Sequence, residues 1–85
     1  MDSVLLSRFE VARLIGLRAL QISEGDQVKV ALPSGRLRMN SLYLAALGLK
    51  HGALDAKIDR GGELVDVSTA RLPDSLEIIL KNYET

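Results

Sequence analysis

The residues of this 85-residue chain that could take part in catalysis are few and widely spaced. His51 is the only histidine, and its place at the end of a predicted helix is more typical of a helix cap than of a general base. Four acidic residues near a predicted hairpin lack the spacing of a calcium loop or a carboxylate dyad: Asp55, Asp59, Glu63 and Asp66. The absence of cysteine excludes disulfides, cysteine-ligated zinc and thiol chemistry. We therefore expect no catalysis by this chain alone, and no metal or cofactor.

Nucleotide and nucleic-acid chemistry have little support in the residue pattern. Gly61-Gly62 is not part of a G-x-x-x-x-G-K-[ST] loop, and no nucleophile-elbow sequence surrounds any serine. The 11 basic and 11 acidic residues give zero net charge, which argues against binding nucleic acid by phosphate neutralisation. Residues 1–50 hold seven basic and four acidic residues, whereas residues 51–85 hold four and seven. This asymmetry is a weak indication that charge orients the chain toward a partner.

Three arginines lie in the most strongly predicted element, a helix over residues 7–24. Ser7 and Glu10 have the spacing of a capping box, in which each side chain bonds the other's free backbone N–H. Leu6 and Val11 are placed to form a hydrophobic staple across the helix start. Gly25 is a suitable terminator, because glycine adopts the left-handed conformation easily.

This helix is apolar nearly all round, which predicts burial on more than one side. The core of one small domain cannot easily cover every face. Gly16 in the interior costs about 1 kcal/mol relative to alanine, a cost that close approach of another backbone would explain. Two interpretations follow. Either this is a central core helix whose arginines reach water, or a partner protein covers one flank.

The remaining elements are shorter. Residues 1–6 are expected to be a loosely held lead-in. The alternation of Val28, Val30 and Leu32 predicts a half-buried strand near residues 27–32. A turn is predicted at residues 33–35, and a short returning strand at residues 36–39 is one option for the segment after it. A second helix is predicted over residues 41–51, with Asn40 or Ser41 as its N-cap. Its buried stripe is predicted to consist of Leu42, Ala45, Ala46 and Leu49.

Gly61-Gly62 between alternating segments predicts a hairpin near residues 54–67. Residues 75–83 fit either a short helix capped by Asp74 or Ser75, or a strand with Leu76, Ile78 and Leu80 on one side; we favour the helix. The chain is thus predicted to be a single α+β domain over residues 1–85. Residues 4–6 form far too short an apolar run for a signal or membrane segment, so we expect a soluble, cytoplasmic protein.

The first helix resembles the signature block of a known family. Its blocks SRFE, ARLIG and RALQI, at residues 7–10, 12–16 and 18–22, resemble the omega-type subunit of multi-subunit DNA-directed RNA polymerases. The archaeal K subunit, counterpart of the small common subunit of the eukaryotic nuclear polymerases, is the most similar variety. The resemblance covers residues 6–67, whereas residues 69–85 form a tail without a clear counterpart.

The resemblance implies a noncatalytic subunit in transcription. Such subunits clasp the C-terminal region of the largest polymerase subunit and promote assembly and stability of the enzyme. They meet DNA only through the complex and need no membrane or small-molecule substrate. The family motif implies six partner-binding residues on the signature helix: Arg8, Arg13, Gly16, Arg18, Leu20 and Gln21.

Two alternatives stay open at this stage. Arg13 and Arg18 could instead bind this chain's own acidic residues or carbonyl groups, since arginine offers a planar fork to either kind of acceptor. The chain could also be a free-standing nucleic-acid-binding regulator whose contacts are five arginines: Arg8, Arg13, Arg18, Arg36 and Arg38. A small hydrolase using His51 is a distant third hypothesis.

Overall fold

Three α-helices and one two-stranded antiparallel sheet make up a computed structural model, which describes residues 4–85. The α+β prediction is confirmed. Two short 3₁₀ helices, Gly35–Met39 and Val67–Thr69, lie between the main elements. Those main elements are, in chain order, α1 (Arg8–Ser23), α2 (Ser41–Lys50), β1 (Lys57–Arg60), β2 (Glu63–Asp66) and α3 (Ser75–Glu84).

The start and the end of α1 are set by local signals, as predicted. The backbone N–H of Glu10 donates to Ser7 Oγ at 3.1 Å, and the N–H of Ser7 donates to Glu10 Oε1 at 2.9 Å, which completes the capping box. Leu6 and Val11 are both fully buried at this end. Gly25 takes a φ of 105°, and its N–H donates to the carbonyl of Ile22 at 3.1 Å.

The second helix begins where predicted, ends one residue earlier, at Lys50, and has a different buried face. Asn40 is the N-cap, with Oδ1 accepting from the N–H of Tyr43 at 3.1 Å. The prediction that Leu42 is buried is wrong, because Leu42 is exposed while Tyr43 and Leu44 are buried. The reason is that α2 packs against both α1 and α3, so its buried surface is wider than a single stripe.

The prediction of a strand at residues 27–32 is wrong, as is the option of a returning strand at residues 36–39. The first segment is irregular, although Val28 and Val30 are half-buried between exposed neighbours. The second segment is part of the 3₁₀ helix Gly35–Met39. A strand requires a hydrogen-bonding neighbour, and residues 4–85 provide none for residues 27–32.

The hairpin is confirmed, with strands shorter than predicted. Lys57 lies opposite Asp66, and Arg60 lies opposite Glu63. The turn residues Gly61 and Gly62 take φ values of 62° and 92°, which fits the Gly-Gly signal. The second strand ends at Asp66, whose carboxylate accepts from the N–H of Ser68 at 3.0 Å and starts the next 3₁₀ helix.

The C-terminal segment is a helix, so the strand alternative is wrong. Leu76 and Leu80 are buried in the core, whereas Ile78, which a strand would place beside them, is 61% exposed. The predicted capping does not occur, because Asp74 occupies the N-cap position without a side-chain capping bond and Ser75 is the first helical residue. The core contacts of α3 with α1 and α2 show that residues 75–84 are an integral part of the domain.

The prediction of a loose lead-in is wrong for residues 4–6, while residues 1–3 lie outside the described part. Leu5 and Arg71 form a parallel β-bridge. The N–H of Leu6 donates to the carbonyl of Arg71 at 2.9 Å, and the N–H of Arg71 donates to the carbonyl of Val4 at 2.7 Å. The lead-in is held because its partner lies far along the chain, beyond the reach of a local sequence pattern. None of the helices between residues 4 and 85 is long and apolar enough to cross a membrane.

Candidate partner-binding surface

One face of α1 is left uncovered by the rest of the domain. Val11, Leu14, Ile15 and Ala19 on its other face are buried. The large apolar side chains of the uncovered face remain 54–73% exposed: Phe9 73%, Leu17 54% and Leu20 58%. We call this surface the α1 outer face and define it by Phe9, Arg13, Gly16, Leu17 and Leu20, whose spacing places them together on a helix. The expectation that one small core cannot cover the whole helix is therefore confirmed.

Gly16 lies within this outer face and is not required by the packing of the domain. A Cβ atom built at Gly16 meets no atom within 4 Å. The residue therefore leaves a shallow gap between the larger side chains, where a partner backbone can come close.

The guanidinium of Arg13 is directed to the surface. Arg13 is exposed and makes no hydrogen bond or ion pair with residues 4–85. Arg8, which is also exposed, places its guanidinium carbon 5.0 Å from the ring centroid of Phe9, a cation–π contact at the edge of the outer face. These two cations flank an apolar surface.

Arg18 and Gln21 are used inside the chain. Arg18 Nη1 donates to Gln21 Oε1 at 3.2 Å and to Asp26 Oδ2 at 3.0 Å, and its Nη2 donates to the carbonyl of Gln27 at 2.6 Å. The Arg18 side chain is only 14% exposed. Arg18 thus binds within the chain, which was the intramolecular alternative. Its hydrogen bonds hold the irregular segment after α1 against the last turns of that helix.

The six partner-binding residues of the sequence prediction thus fall into two groups. Arg13, Gly16 and Leu20 lie on the α1 outer face, and Arg8 lies at its edge. Arg18 and Gln21 belong to the internal network. Phe9 and Leu17 were missed as candidates, because a helix that is apolar all round does not reveal which of its faces the domain will cover.

A second contact that sequence reasoning missed joins the hairpin to the start of α1. Arg60 Nε donates to Glu10 Oε2 at 2.9 Å, Arg60 Nη2 donates to Glu10 Oε1, and Nη2 also donates to the carbonyl of Leu5 at 2.9 Å. The Arg60 hydrogen bonds and the N–H of Ser7 lower the pKa of Glu10 from 4.5 to about 2. One carboxylate therefore both caps α1 and fixes the position of the hairpin.

The five arginines of the nucleic-acid hypothesis are not all available. Besides Arg18, Arg36 is engaged, because its Nη2 donates to the backbone oxygens of Tyr83 at 3.2 Å and Thr85 at 2.8 Å. Arg36 thus stabilises the C-terminal end of α3, where carbonyl groups lack helical partners.

Metal or acid–base chemistry gains no support from the geometry. Across the described residues, no three His, Cys, Asp or Glu side chains converge where they could hold a metal ion. His51 is the C-cap of α2, as predicted, and its backbone N–H donates to the carbonyl of Leu47 at 3.0 Å.

Comparison of the chain with models of protein families finds no match, and comparison with curated proteins finds none either.

Proposed function

We propose that this chain is a noncatalytic subunit of a DNA-directed RNA polymerase, and that it binds the C-terminal region of the largest subunit to promote assembly and stability of the enzyme. In this role it acts in transcription in the cytoplasm, requires no cofactor and meets nucleic acid only through the assembled complex. The sequence motif of residues 7–22 is the basis of the proposal. The structural observation that supports it most directly is the exposure of the α1 outer face within that motif.

The physical argument concerns the free energy available at this face. Burial of a leucine or phenylalanine side chain contributes about 1.5–3 kcal/mol, so the three large apolar residues of the outer face supply a substantial driving force for association. Gly16 lets a partner backbone approach between them, and Arg13 offers a fork that binds a carboxylate or a carbonyl group. Apolar anchors beside an arginine are typical of the centre of a protein interface.

The proposal is tested by copurification of the full chain with the largest polymerase subunit of the same source. We expect Leu20→Asp to weaken the complex by about a hundredfold, because it removes an apolar anchor and desolvates a charge. Ile78→Asp is the matched control, since Ile78 is equally exposed but lies on α3. We expect it to change the affinity by less than about twofold.

Two results would contradict the proposal. One is the absence of any complex between the wild-type chain and the largest subunit. The other is equal weakening by Leu20→Asp and Ile78→Asp, which would mean that the α1 outer face has no special part in binding. The charge reversal Arg13→Glu adds a separate measurement. Arg13 makes no hydrogen bond or ion pair among residues 4–85, so its replacement should weaken the complex and leave the stability of the chain nearly unchanged.

A further inference from the structure

A groove of about 420 Å³ separates α1 from β1 and is not explained by the polymerase proposal. Its apolar lining consists of Leu14, Leu17 and Ile58. Arg13 stands on the helix side, and the exposed Lys57 stands on the strand side. An apolar surface between two cations is suited to a ligand that carries both apolar and acidic groups.

The acidic residues of the groove are already committed to other contacts. Glu10 is paired with Arg60 and caps α1. Asp59 Oδ1 accepts from the N–H of Gly62 at 2.7 Å in the hairpin turn. Lys57 lies opposite Asp66 in the strand pair, and the two form no ion pair. Arg13 and Lys57 are therefore the charged groups of the groove that have no hydrogen-bond or ion-pair partner among residues 4–85.

The strand side of the groove is an unpaired sheet edge. The N–H of Val67 donates to the carbonyl of Ala56 at 3.0 Å, which fixes the alternation of the antiparallel ladder. Lys57 and Asp59 consequently turn their backbone N–H and carbonyl groups away from β2. No residue of the described chain hydrogen-bonds to these groups.

The position of Ile58 shows that this free edge borders the groove. Side chains of successive strand residues point to opposite faces of a sheet, yet Lys57, Ile58 and Asp59 all line the groove. The lining includes no residue of β2, so the groove lies along the free edge of β1. The unpaired backbone groups of β1 and the two cations are thus presented to the same space.

We propose that this groove binds an extended segment of a partner protein in which acidic and apolar residues alternate, and that the segment pairs with β1 as a third strand. Main-chain hydrogen bonds to Lys57 and Asp59 hold the segment. Its apolar side chains contact Leu17 and Ile58, while its carboxylates contact Arg13 and Lys57. The site shares Arg13 and Leu17 with the α1 outer face but extends from there to β1, and it does not rest on the polymerase proposal.

A synthetic peptide of alternating glutamate and valine tests the proposal against the full chain, with a peptide of alternating lysine and valine for comparison. We expect the acidic peptide to bind, by fluorescence anisotropy at low salt, and the basic peptide to bind at least about tenfold more weakly. Lys57→Glu should lower the affinity for the acidic peptide by about tenfold, because an attraction becomes a repulsion. Lys81→Glu, the same charge reversal on α3, should change it by less than about twofold.

Amide hydrogen exchange supplies a readout that needs no variant. Saturation with the acidic peptide should slow exchange at Lys57 and Asp59, whose N–H groups gain partners, and leave Ile58 largely unchanged, because its N–H faces β2. The proposal is overturned if the acidic peptide does not bind, if Lys57→Glu binds it as the wild type does, or if the edge amides stay unprotected. Lys57 lies outside the α1 outer face, so a failure of the groove proposal leaves the polymerase proposal standing. A failure of the polymerase proposal likewise leaves the groove proposal standing.

Discussion

Replacement of Gly16 by alanine should make the isolated chain more stable and its proposed complex weaker. A glycine in a helix interior is less favourable than alanine by about 1 kcal/mol. The added Cβ atom meets nothing within 4 Å, so no steric cost opposes this gain. We therefore expect Gly16→Ala to raise the free energy of unfolding by about 1 kcal/mol, which corresponds to a rise in Tm of about 4–8 °C for a domain of this size.

Gly48→Ala is the matched control for the stability measurement. Gly48 also lies in a helix, α2, and a Cβ atom there likewise meets nothing within 4 Å. Urea unfolding followed by circular dichroism should show stabilisation by both variants. Failure of Gly16→Ala to stabilise the chain would refute the conclusion that the domain itself does not need this glycine.

The two variants should differ in binding. If a partner backbone closely approaches Gly16, the methyl group of Gly16→Ala should weaken the complex with the largest subunit by about tenfold or more, which is about 1.4 kcal/mol or more. Gly48→Ala should bind as the wild type does. Full affinity of a stabilised Gly16→Ala chain would refute close approach at this position.

Three further predictions concern stability and are checked by denaturant unfolding. Leu6→Ala should destabilise the chain by about 2–5 kcal/mol because Leu6 is fully buried. Leu5→Ala is the control, because Leu5 is half-exposed and its replacement should change the stability by no more than about 0.5 kcal/mol. Equal losses in the two variants would contradict the burial of Leu6. Asn40→Ala should cost about 1 kcal/mol through loss of its capping bond, and Asp74→Ala, which removes no such bond, should cost clearly less. The pKa of Glu10 is lowered from 4.5 to about 2 on folding. The ionised carboxylate therefore contributes fully to the free energy of unfolding above pH 4.5, and this contribution is lost as the pH falls toward 2. Glu10→Gln should therefore show a shallower loss of stability over that interval, and identical profiles would contradict the pairing.

The sequence predicted those elements whose signals are local. The capping box of Ser7 and Glu10, the cap at Asn40 and the Gly61-Gly62 turn each act within a few residues, and each is present in the structure. The apolar stripe of α3 was sufficient to favour a helix because Leu76 and Leu80 fit one face, with Ile78 outside it.

The errors arose where the deciding partner lies far along the chain. Val4–Leu6 is ordered by Arg71, which no local pattern could indicate. Residues 27–32 have the alternation of a strand but lack a neighbouring strand, and alternation alone cannot supply one. For the candidate site, the sequence predicted the helix but left open whether Arg13 and Arg18 bind this chain or a partner. The internal contacts of Arg18 depend on where Asp26 and Gln27 lie after the helix ends, which no local pattern indicates.

The bridge between Leu5 and Arg71 has a consequence for synthesis on the ribosome. A nascent chain emerges from its N-terminus, so α1 leaves the exit tunnel long before Arg71 and the core residues Leu76 and Leu80. The apolar residues of α1 that are buried in the finished domain therefore lack their full cover until most of the chain has been translated. Until Arg71 and α3 have emerged, α2 is the helix available to cover the inner face of α1, whereas the outer face stays accessible to chaperones both before and after α3 packs.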